Sequence, residues 1–343
     1  MSGGLSYRDT GVDRATAAAA KDRIGELVRS TFIEGVLSEP GSFGGLFRLP
    51  EGLDRPALVA SADGVGTKLK VAIRAGKHDT VGHDLVNHSV DDILVEGARP
   101  LFFLDYIGMG ELEAGVAEEI VAGIAFGCRE NGCALLGGET AEMPDFYAPG
   151  EYDLAGFIVG VVEEEKRIGP QRVRAGDQLI GIASNGFHTN GYSLVRRVVF
   201  QELGLEIDDT FPGTDESVAD VLLRVHRSYL DSLFPLIDAG EIHALAHITG
   251  GGIPDNLERV LPGELDAKID RSTWSIPVEF STIMEGGRVE LDEMFRTFNM
   301  GVGMIAIVAP DRTDQILSDL DESGERAWVI GEVVEGTGEV SIG

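Results

Sequence analysis

The sequence is poor in the residues that mark secreted and membrane proteins. It has two cysteines in 343 residues, Cys128 and Cys133, and their five-residue spacing forms neither a CxxC motif nor a disulfide framework. No apolar run reaches the roughly 18 residues of a membrane span. The polar start MSGGLSYRDTGVD lacks the apolar segment of a signal peptide. We therefore expect a reduced, cytoplasmic protein without a membrane partner.

Positive charge is also scarce. There are 28 basic residues, only six of them lysine, against 58 acidic ones, for a formal net charge of −30. Because nucleic-acid binders neutralise phosphates with cations, this balance argues against a nucleic-acid partner. If the substrates are anionic, metal ions, backbone N–H groups and a few cations must reverse the repulsion locally.

The order of predicted elements indicates an α/β (α+β) protein of two domains. Helices and strands interleave in both halves, and the charged segment 163–177 carries a Gly-Pro break without apolar periodicity. We place the boundary there, with domains at 1–168 and 169–343. The predicted strands are Val59–Ala62, Leu101–Ile107, the segment CALLGG, Leu154–Val162, Leu179–Ala183, Ala244–Ile248, Gly303–Ala309 and Ala327–Val334. The predicted helices are Ala15–Val28, Glu111–Cys128, Tyr192–Leu203, Ser217–Ala239, Ile253–Val260 and Thr313–Ser323.

The stretch ADGVGTK, at the end of a predicted strand, combines a carboxylate, two glycines, a hydroxyl and a cation. Asp63 is suited to Mg²⁺, and Gly64 and Gly66 allow backbone N–H groups to approach an anion. Thr67 and Lys68 would complete a phosphate site. The spacing is neither that of a Walker A loop nor that of a dinucleotide fingerprint. A tight turn with a solvated aspartate is an equal alternative at this point.

Three further carboxylates are candidate ligands. Asp91 and Asp92, in SVDDILVEGARP, lie at the start of a helix-like segment, and adjacent helical residues point about 100° apart. Only one of them can readily share a metal with Asp63, and the other is expected to cap the helix. Glu139, in LLGGETAEMP, follows a glycine pair and is either solvated or a ligand.

Two glycine turns in the second half precede predicted helices. In SNGFHTNGYS, His188, Thr189 and Asn190 stand where a helix N-terminus can receive an anion, although a simple helix cap is an alternative. In HITGGGIPDN, three successive glycines (Gly250, Gly251 and Gly252) favour close approach of a ligand. His226 is expected to be surface-exposed or half-buried. The five-residue spacing of His78, His83 and His88 does not predict a zinc site.

In this order, the motifs resemble the phosphoribosylformylglycinamidine cyclo-ligase (aminoimidazole ribonucleotide synthetase) family of purine biosynthesis. The resemblance runs nearly end to end, through SYRDTGVD, GSFGGLF, DGVGTKL, GHDLV, PLFFLDY, LLGGETAEMP, GYSLVR, HITGGG and MFRTFNMGVGM. The sequence departs from the family pattern at Ala62, where Thr is usual, and at Asp91, where Asn is usual. Both departures concern metal coordination rather than the reaction.

The resemblance implies a homodimer whose N-terminal sheets form a shared barrel, with α/β C-terminal domains and a site between domains. It implies ATP-dependent ring closure of formylglycinamidine ribonucleotide to aminoimidazole ribonucleotide, with release of ADP and phosphate. Mg²⁺ would accompany ATP, and a K⁺ requirement stays open. The implied catalytic residues are Asp63, Lys68 and His188, with the metal on Asp63 and Asp92. The implied nucleotide-binding residues are Gly41, Phe43, Gly44, Gly64, Gly66, Thr67 and Glu139, the first three in a lid with YRDTGVD, and the substrate would meet Thr189, Asn190 and Gly250–Gly252.

Two other classes of function fit part of this pattern. Another ATP-using enzyme of the same superfamily, such as a thiamine-phosphate kinase or a selenophosphate synthetase, would share the strand-end aspartates. A selenophosphate synthetase would carry a reactive Cys near its N-terminus, and none precedes Cys128. A non-catalytic, nucleotide-sensing dimer would retain the fold without turnover.

Overall fold

The computed structural model describes residues 23–111 and 113–343, arranged around two mixed sheets. The predicted helix Ala15–Val28 falls partly within this range, where helix α1 covers residues 23–29. The motif SYRDTGVD lies outside the described residues. No helix within them combines the length and apolar character needed to cross a bilayer.

The first sheet has four strands in the order β1-β4-β2-β3. Strands β1 and β2 each pair antiparallel with β4, and β2 pairs parallel with β3. Two helices, α3 and α4, pack against each other so closely that a Cβ on Gly82 would lie 2.1 Å from the Ile120 carbonyl oxygen. The elements of this half are β1 (Pro56–Gly64), α2 (Leu69–Ala75), α3 (Asp79–Leu94), β2 (Arg99–Met109), α4 (Ala114–Glu130), β3 (Ala134–Glu142) and β4 (Tyr152–Glu163).

The second sheet has six strands in the order β10-β7-β9-β5-β8-β6, and the interior strand β8, between β5 and the edge strand β6, is buried along its whole length. Its elements are β5 (Gln178–Ala183), α5 (Tyr192–Arg197), α6 (Val218–Leu222), α7 (Leu230–Asp238), β6 (Ile242–His247), α8 (Gly252–Glu258), β7 (Leu265–Ile269), α9 (Val278–Gly287), α10 (Leu291–Thr297), β8 (Val302–Val308), α11 (Thr313–Glu322), β9 (Ala327–Glu335) and β10 (Val340–Ile342). The expected mixed α/β class is therefore confirmed, and the division at residues 168 and 169 stays a prediction.

The predicted long helix Ser217–Ala239 is wrong, because the chain forms two short helices, α6 and α7, separated by an irregular segment. Side chains of α3 bond the backbone of that segment. Asp84 accepts from the His226 N–H at 2.7 Å, and Asp91 accepts from the Tyr229 N–H at 3.0 Å. Asn87 donates to the His226 carbonyl at 2.8 Å. These bonds replace the hydrogen bonds of a continuous helix, and they join the two halves of the chain.

Candidate functional site

Two carboxylates meet in the crevice between the sheets. Asp63 lies near the end of β1 and Asp92 lies in the last turn of α3, not at its start as predicted. Ser61, two residues before Asp63 and so on the same face of the strand, has its hydroxyl 3.1 Å from Asp63 Oδ2 and 3.3 Å from Asp92 Oδ2. Both side chains are about a quarter to a third exposed, at 32% and 26%. The pair is therefore open to a ligand.

The surroundings shift the pKa values of the two carboxylates in opposite directions. Burial and the adjacent Asp92 raise the pKa of Asp63 to about 7. Burial by itself would raise the pKa of Asp92, but the hydrogen bond and charge of His247 outweigh it and lower that pKa well below its usual value. Like charges this close favour one shared proton or one bound cation. The geometry therefore favours a cation between the carboxylates at neutral pH.

Histidines orient this pair. His247 Nδ1 lies 2.8 Å from Asp92 Oδ1, and this contact raises the pKa of His247 although burial opposes it. His88 precedes Asp92 by one helical turn and lies 3.5 Å from Asp63. Burial, then the charge of His247, lower the pKa of His88 to about 4, so its imidazole is neutral. The other nitrogen of His88 lies 2.6 Å from the Thr189 hydroxyl, which anchors the ring.

The residues present fit Mg²⁺. Asp63, His88 and Asp92 each place a ligand atom within 4.8 Å of the others. Mg²⁺ prefers oxygen ligands and retains several waters, so Asp63 and Asp92 would hold it and His88 would position the carboxylates. The predicted pair of metal ligands is thus brought together. His78 and His83 are directed elsewhere, to Tyr152 and to Glu130.

The structure corrects the role predicted for Lys68. Its side chain is fully buried, and its ammonium group lies 2.8 Å from Asp84. It also donates to the carbonyl oxygens of Arg224 at 2.7 Å and His188 at 3.3 Å. All of these partners are protein groups, and no face of the ammonium is left for a phosphate. Lys68 instead joins the two halves of the chain.

The structure also corrects His188. The ring is buried and stacks on His226, with centroids 4.0 Å apart. Burial, then the charges of His247 and Lys68, hold the pKa of His188 well below its ordinary value. The resemblance implied a catalytic role for His188, but a buried imidazole with a lowered pKa is poorly suited to exchanging protons near neutral pH. His226 is fully buried as well, against the prediction of an exposed position, and lies 3.0 Å from His247 between ring nitrogens.

Two of the predicted substrate turns do meet. The side-chain oxygen of Asn190 lies beside Gly250, where an added Cβ would be 3.4 Å away. The Asn190 amide nitrogen is buried without a hydrogen-bond partner in the described chain, so its capacity to donate is unused in this structure. Gly252 has a packing role instead of the predicted ligand approach. Its φ is +62°, and a Cβ would lie 1.8 Å from the Phe295 carbonyl oxygen. A Cβ on Gly251 would meet Asp255.

The rest of the first corner lies beside the acid pair. Gly64, Gly66 and Thr67 follow Asp63 directly, and all three are exposed. The Thr67 hydroxyl lies 3.1 Å from the Ser193 hydroxyl, at the start of α5. This contact links the corner to the second half of the chain.

Four predicted nucleotide residues are not near Asp63 within this chain. Glu139 lies on β3, three strands away from β1, which is about 14 Å at ordinary strand spacing. The loop that carries Gly41, Phe43 and Gly44 is exposed. Its neighbour Phe47 packs on Phe102 of β2, with ring centroids 5.5 Å apart. The loop therefore lies over the β2–β3 side of the sheet.

Comparison with known proteins identifies the family. Residues 45–162 match the N-terminal domain of the AIR synthase related protein family, and residues 174–343 match its C-terminal domain. A phosphoribosylformylglycinamidine cyclo-ligase of Trichlorobacter lovleyi is 50% identical over 329 residues, 96% of this chain and 94% of the relative. The cyclo-ligase of Sorangium cellulosum (strain So ce56) is 50% identical over 332 residues, which is 96% of this chain and 95% of that relative. The chain belongs to the phosphoribosylformylglycinamidine cyclo-ligase family.

Solved structures share the fold of this cyclo-ligase family member at low sequence identity. Thiamine-monophosphate kinase from Stenotrophomonas maltophilia K279a has a TM-score of 0.71 at 18% identity, covering 93% of this chain and 95% of its own. The hydrogenase maturation protein HypE in complex with ATP has a TM-score of 0.68 at 20% identity, and the match covers 96% of this chain and 91% of the HypE chain.

The two departures from the cyclo-ligase pattern leave the Asp63–Asp92 pair little changed. Ala62 pairs with Phe157 on the exposed face of β1, opposite to the face of Asp63. A hydroxyl there would not reach the Asp63–Asp92 pair. Asp91 is fully buried, and burial raises its pKa to about 8. The protonated carboxyl is neutral at pH 7 and has the shape of an asparagine side chain.

Sequence reasoning missed three residues of this site, and each carried a signal. Ser61 is two positions before Asp63 on a strand, and His88 is four positions before Asp92 on a helix, so each shares a face with a predicted ligand. His247 opens the quoted motif HITGGG. For Ser61 and His88, a shared strand or helix face with a predicted ligand would have indicated the site better than residue type alone.

Proposed function

We propose that the crevice at Asp63 and Asp92 is where this cyclo-ligase binds MgATP and closes the imidazole ring of formylglycinamidine ribonucleotide. Family membership supports the reaction, and the paired carboxylates support the location. In this reaction ATP phosphorylates the amide oxygen, the amidine nitrogen attacks the same carbon, and phosphate departs. The products are aminoimidazole ribonucleotide, ADP and phosphate.

The protein's own contribution is alignment and charge balance. When bound, Mg²⁺ would neutralise the ATP phosphates. Asp63 and Asp92 would hold the ion, and His247 and His88 would fix the orientation of both carboxylates through the contacts described above. Gly64, Gly66 and Thr67 would present backbone N–H groups and a hydroxyl to the phosphates.

The ribonucleotide would lie on the opposite wall of the crevice. The Asn190 amide donor has no partner among the described residues and lies next to Gly250, whose small size leaves room for a ligand beside the Asn190 side chain. Thr189 supports His88, so its contribution to substrate binding would be indirect. Lys68 and His188 hold the wall together and would not touch the reacting atoms.

A homodimer is part of this proposal. On the face of the first sheet that points away from α3, Leu58 of β1 is 62% exposed and Phe157 of β4 is 44% exposed. Alternate residues of β1 are exposed from Pro56 to Gly64. Burying such a face against a second copy would remove it from water and form the expected shared barrel. Glu139 and the Gly41–Phe47 loop would then meet the nucleotide bound by the partner subunit.

The decisive assay supplies ATP, Mg²⁺ and formylglycinamidine ribonucleotide and measures aminoimidazole product, with K⁺ varied. Asp63→Asn is expected to lower turnover at least about 100-fold, because a metal ligand is lost, while circular dichroism and the oligomeric state stay unchanged. Asp321→Asn, at an exposed aspartate of α11 outside the crevice, is a matched control. Product formation by Asp63→Asn at the wild-type rate would contradict the location. ADP formation with thiamine monophosphate alone would contradict the reaction.

A further inference from the structure

Both tryptophans of the chain line one cavity in the second half of the molecule. Trp274 and Trp328 have ring centroids 6.5 Å apart and planes tilted by 40°. The cavity has a volume of about 510 Å³, within the usual range for small-molecule sites. Its other walls include Ser184, Asn185 and Arg326.

This cavity is separate from the acid pair. None of its lining residues is Asp63, Asp92 or one of the histidines of the crevice. Ser184 and Asn185 face it from one side of the 184–188 turn, whereas the ring of His188 lies in the histidine cluster. The two sites therefore share a turn but not a surface.

The walls combine an aromatic platform with an indole donor and a cation that lack partners among the described residues, and with the paired Arg224 and Glu279. Trp274 already donates its indole N–H to the Met300 carbonyl at 3.0 Å, but the Trp328 indole nitrogen is buried without a partner among the described residues. Arg224 is paired with Glu279 at 3.2 Å. Arg326 is exposed and has no side-chain partner within residues 23–111 and 113–343. In a chain of net charge −30, a cation beside two indole rings selects a planar anion.

We infer that this cavity is a second ligand site, for a planar heterocycle that carries a phosphate, such as a nucleoside monophosphate. The base would stack on an indole ring, and the Trp328 N–H would donate to a ring or sugar acceptor. Arg326 would pair with the phosphate in a bidentate contact. The site does not require Mg²⁺, in contrast to the proposed catalytic crevice.

Intrinsic tryptophan fluorescence tests the site directly, because both fluorophores line it. AMP is titrated into Asp63→Asn protein in EDTA, which disables the metal-dependent crevice, with excitation at the red edge where adenine does not absorb. A saturable change in emission is expected with AMP. Adenosine is expected to bind at least about tenfold more weakly, because it lacks the charge-assisted contact. Inorganic phosphate alone should not reproduce the change.

Arg326→Gln should weaken AMP at least about tenfold, whereas Arg296→Gln, at an exposed arginine of α10 outside the cavity, should leave the affinity unchanged. Absence of a saturable change with AMP would overturn the inference. Equal affinities for AMP and adenosine, or for wild type and Arg326→Gln, would overturn it too. Ring-closing turnover of the wild-type protein is measured on the same preparation. Its absence would contradict the proposed function without affecting the fluorescence result.

Discussion

Replacing Lys68 by methionine distinguishes a structural lysine from a phosphate-binding one. The substitution retains most of the side-chain volume and removes the ammonium group. The Asp84 carboxylate, fully buried, would then lose its ion pair. The carbonyl oxygens of Arg224 and His188 would lose a donor as well.

The expected loss is large. Breaking a buried ion pair by removing one partner destabilises a protein by about 3–5 kcal/mol, against a total stability of roughly 5–15 kcal/mol. For a domain of this size the midpoint of thermal unfolding should fall by roughly 10 °C. Burial already raises the pKa of Asp84, and the charge of Lys68 opposes that rise. Without Lys68 the carboxyl would take up a proton, which limits the loss to this range.

The assay is thermal and denaturant unfolding of the variant beside Lys70→Met. Lys70 is two residues away and pairs with Glu151, but both side chains are 41% exposed. Its loss should therefore cost less than about 1 kcal/mol. A double variant, Lys68→Met with Asp84→Asn, should recover part of the stability, because no buried carboxylate is left without a partner. If Lys68→Met unfolds like the wild type and raises the KM for ATP about tenfold, the structural assignment is refuted, and Lys68 contacts phosphate.

Three other predictions concern single positions. The unfolding free energy of Asp91→Asn, relative to that of the wild type, should rise by up to about 1.4 kcal/mol for each pH unit between pH 4 and pH 8. The reason is that the wild-type fold keeps Asp91 protonated up to about pH 8, whereas the same carboxyl in the unfolded chain ionises near pH 3.8. A difference in unfolding free energy that stays constant in denaturant titrations from pH 4 to 8 would contradict this prediction. Gly252→Ala should lower the unfolding free energy by more than about 2 kcal/mol, since its Cβ would meet the Phe295 carbonyl oxygen. Gly250→Ala should fold normally and raise the KM for the ribonucleotide. Equal unfolding free energies for the two variants would refute this distinction. Phe157→Glu, on the exposed face of β4, should convert the proposed dimer into monomers in sedimentation experiments, and an unchanged mass would exclude this face as the interface.

The strands were readable from the sequence because their apolar runs are bounded by glycine and charge. The predicted Leu154–Val162 and Leu179–Ala183 lie within the observed β4 and β5. Helix α3 was not predicted as a unit. It is buried on nearly every side, including polar residues such as Asp84 and Asn87, so it lacks the apolar stripe by which surface helices are recognised.

The site was predictable where function depends on residue type and local order. The structure places Asp63 and Asp92 close together, in line with the argument that only one of two adjacent helical aspartates can face a given point. Lys68 was misassigned because a lysine after a glycine turn is typical of phosphate binding. Its actual partner, Asp84, is 16 residues further along the chain. Tertiary packing determines that pairing, and no local pattern records it.

Helix α3 connects stability and chemistry in this protein. Asp84, Asn87 and Asp91, spaced by three and four residues, bond the segment between α6 and α7, while His88 and Asp92 on the neighbouring face belong to the proposed metal site. Because one rigid helix carries both sets, a shift between the two halves of the chain must also move Asp92 relative to His247. The lowered pKa of Asp92 depends on that contact. A substitution that weakens the hydrogen bonds between α3 and the segment between α6 and α7 should therefore reduce metal affinity, even where no proposed metal ligand is changed.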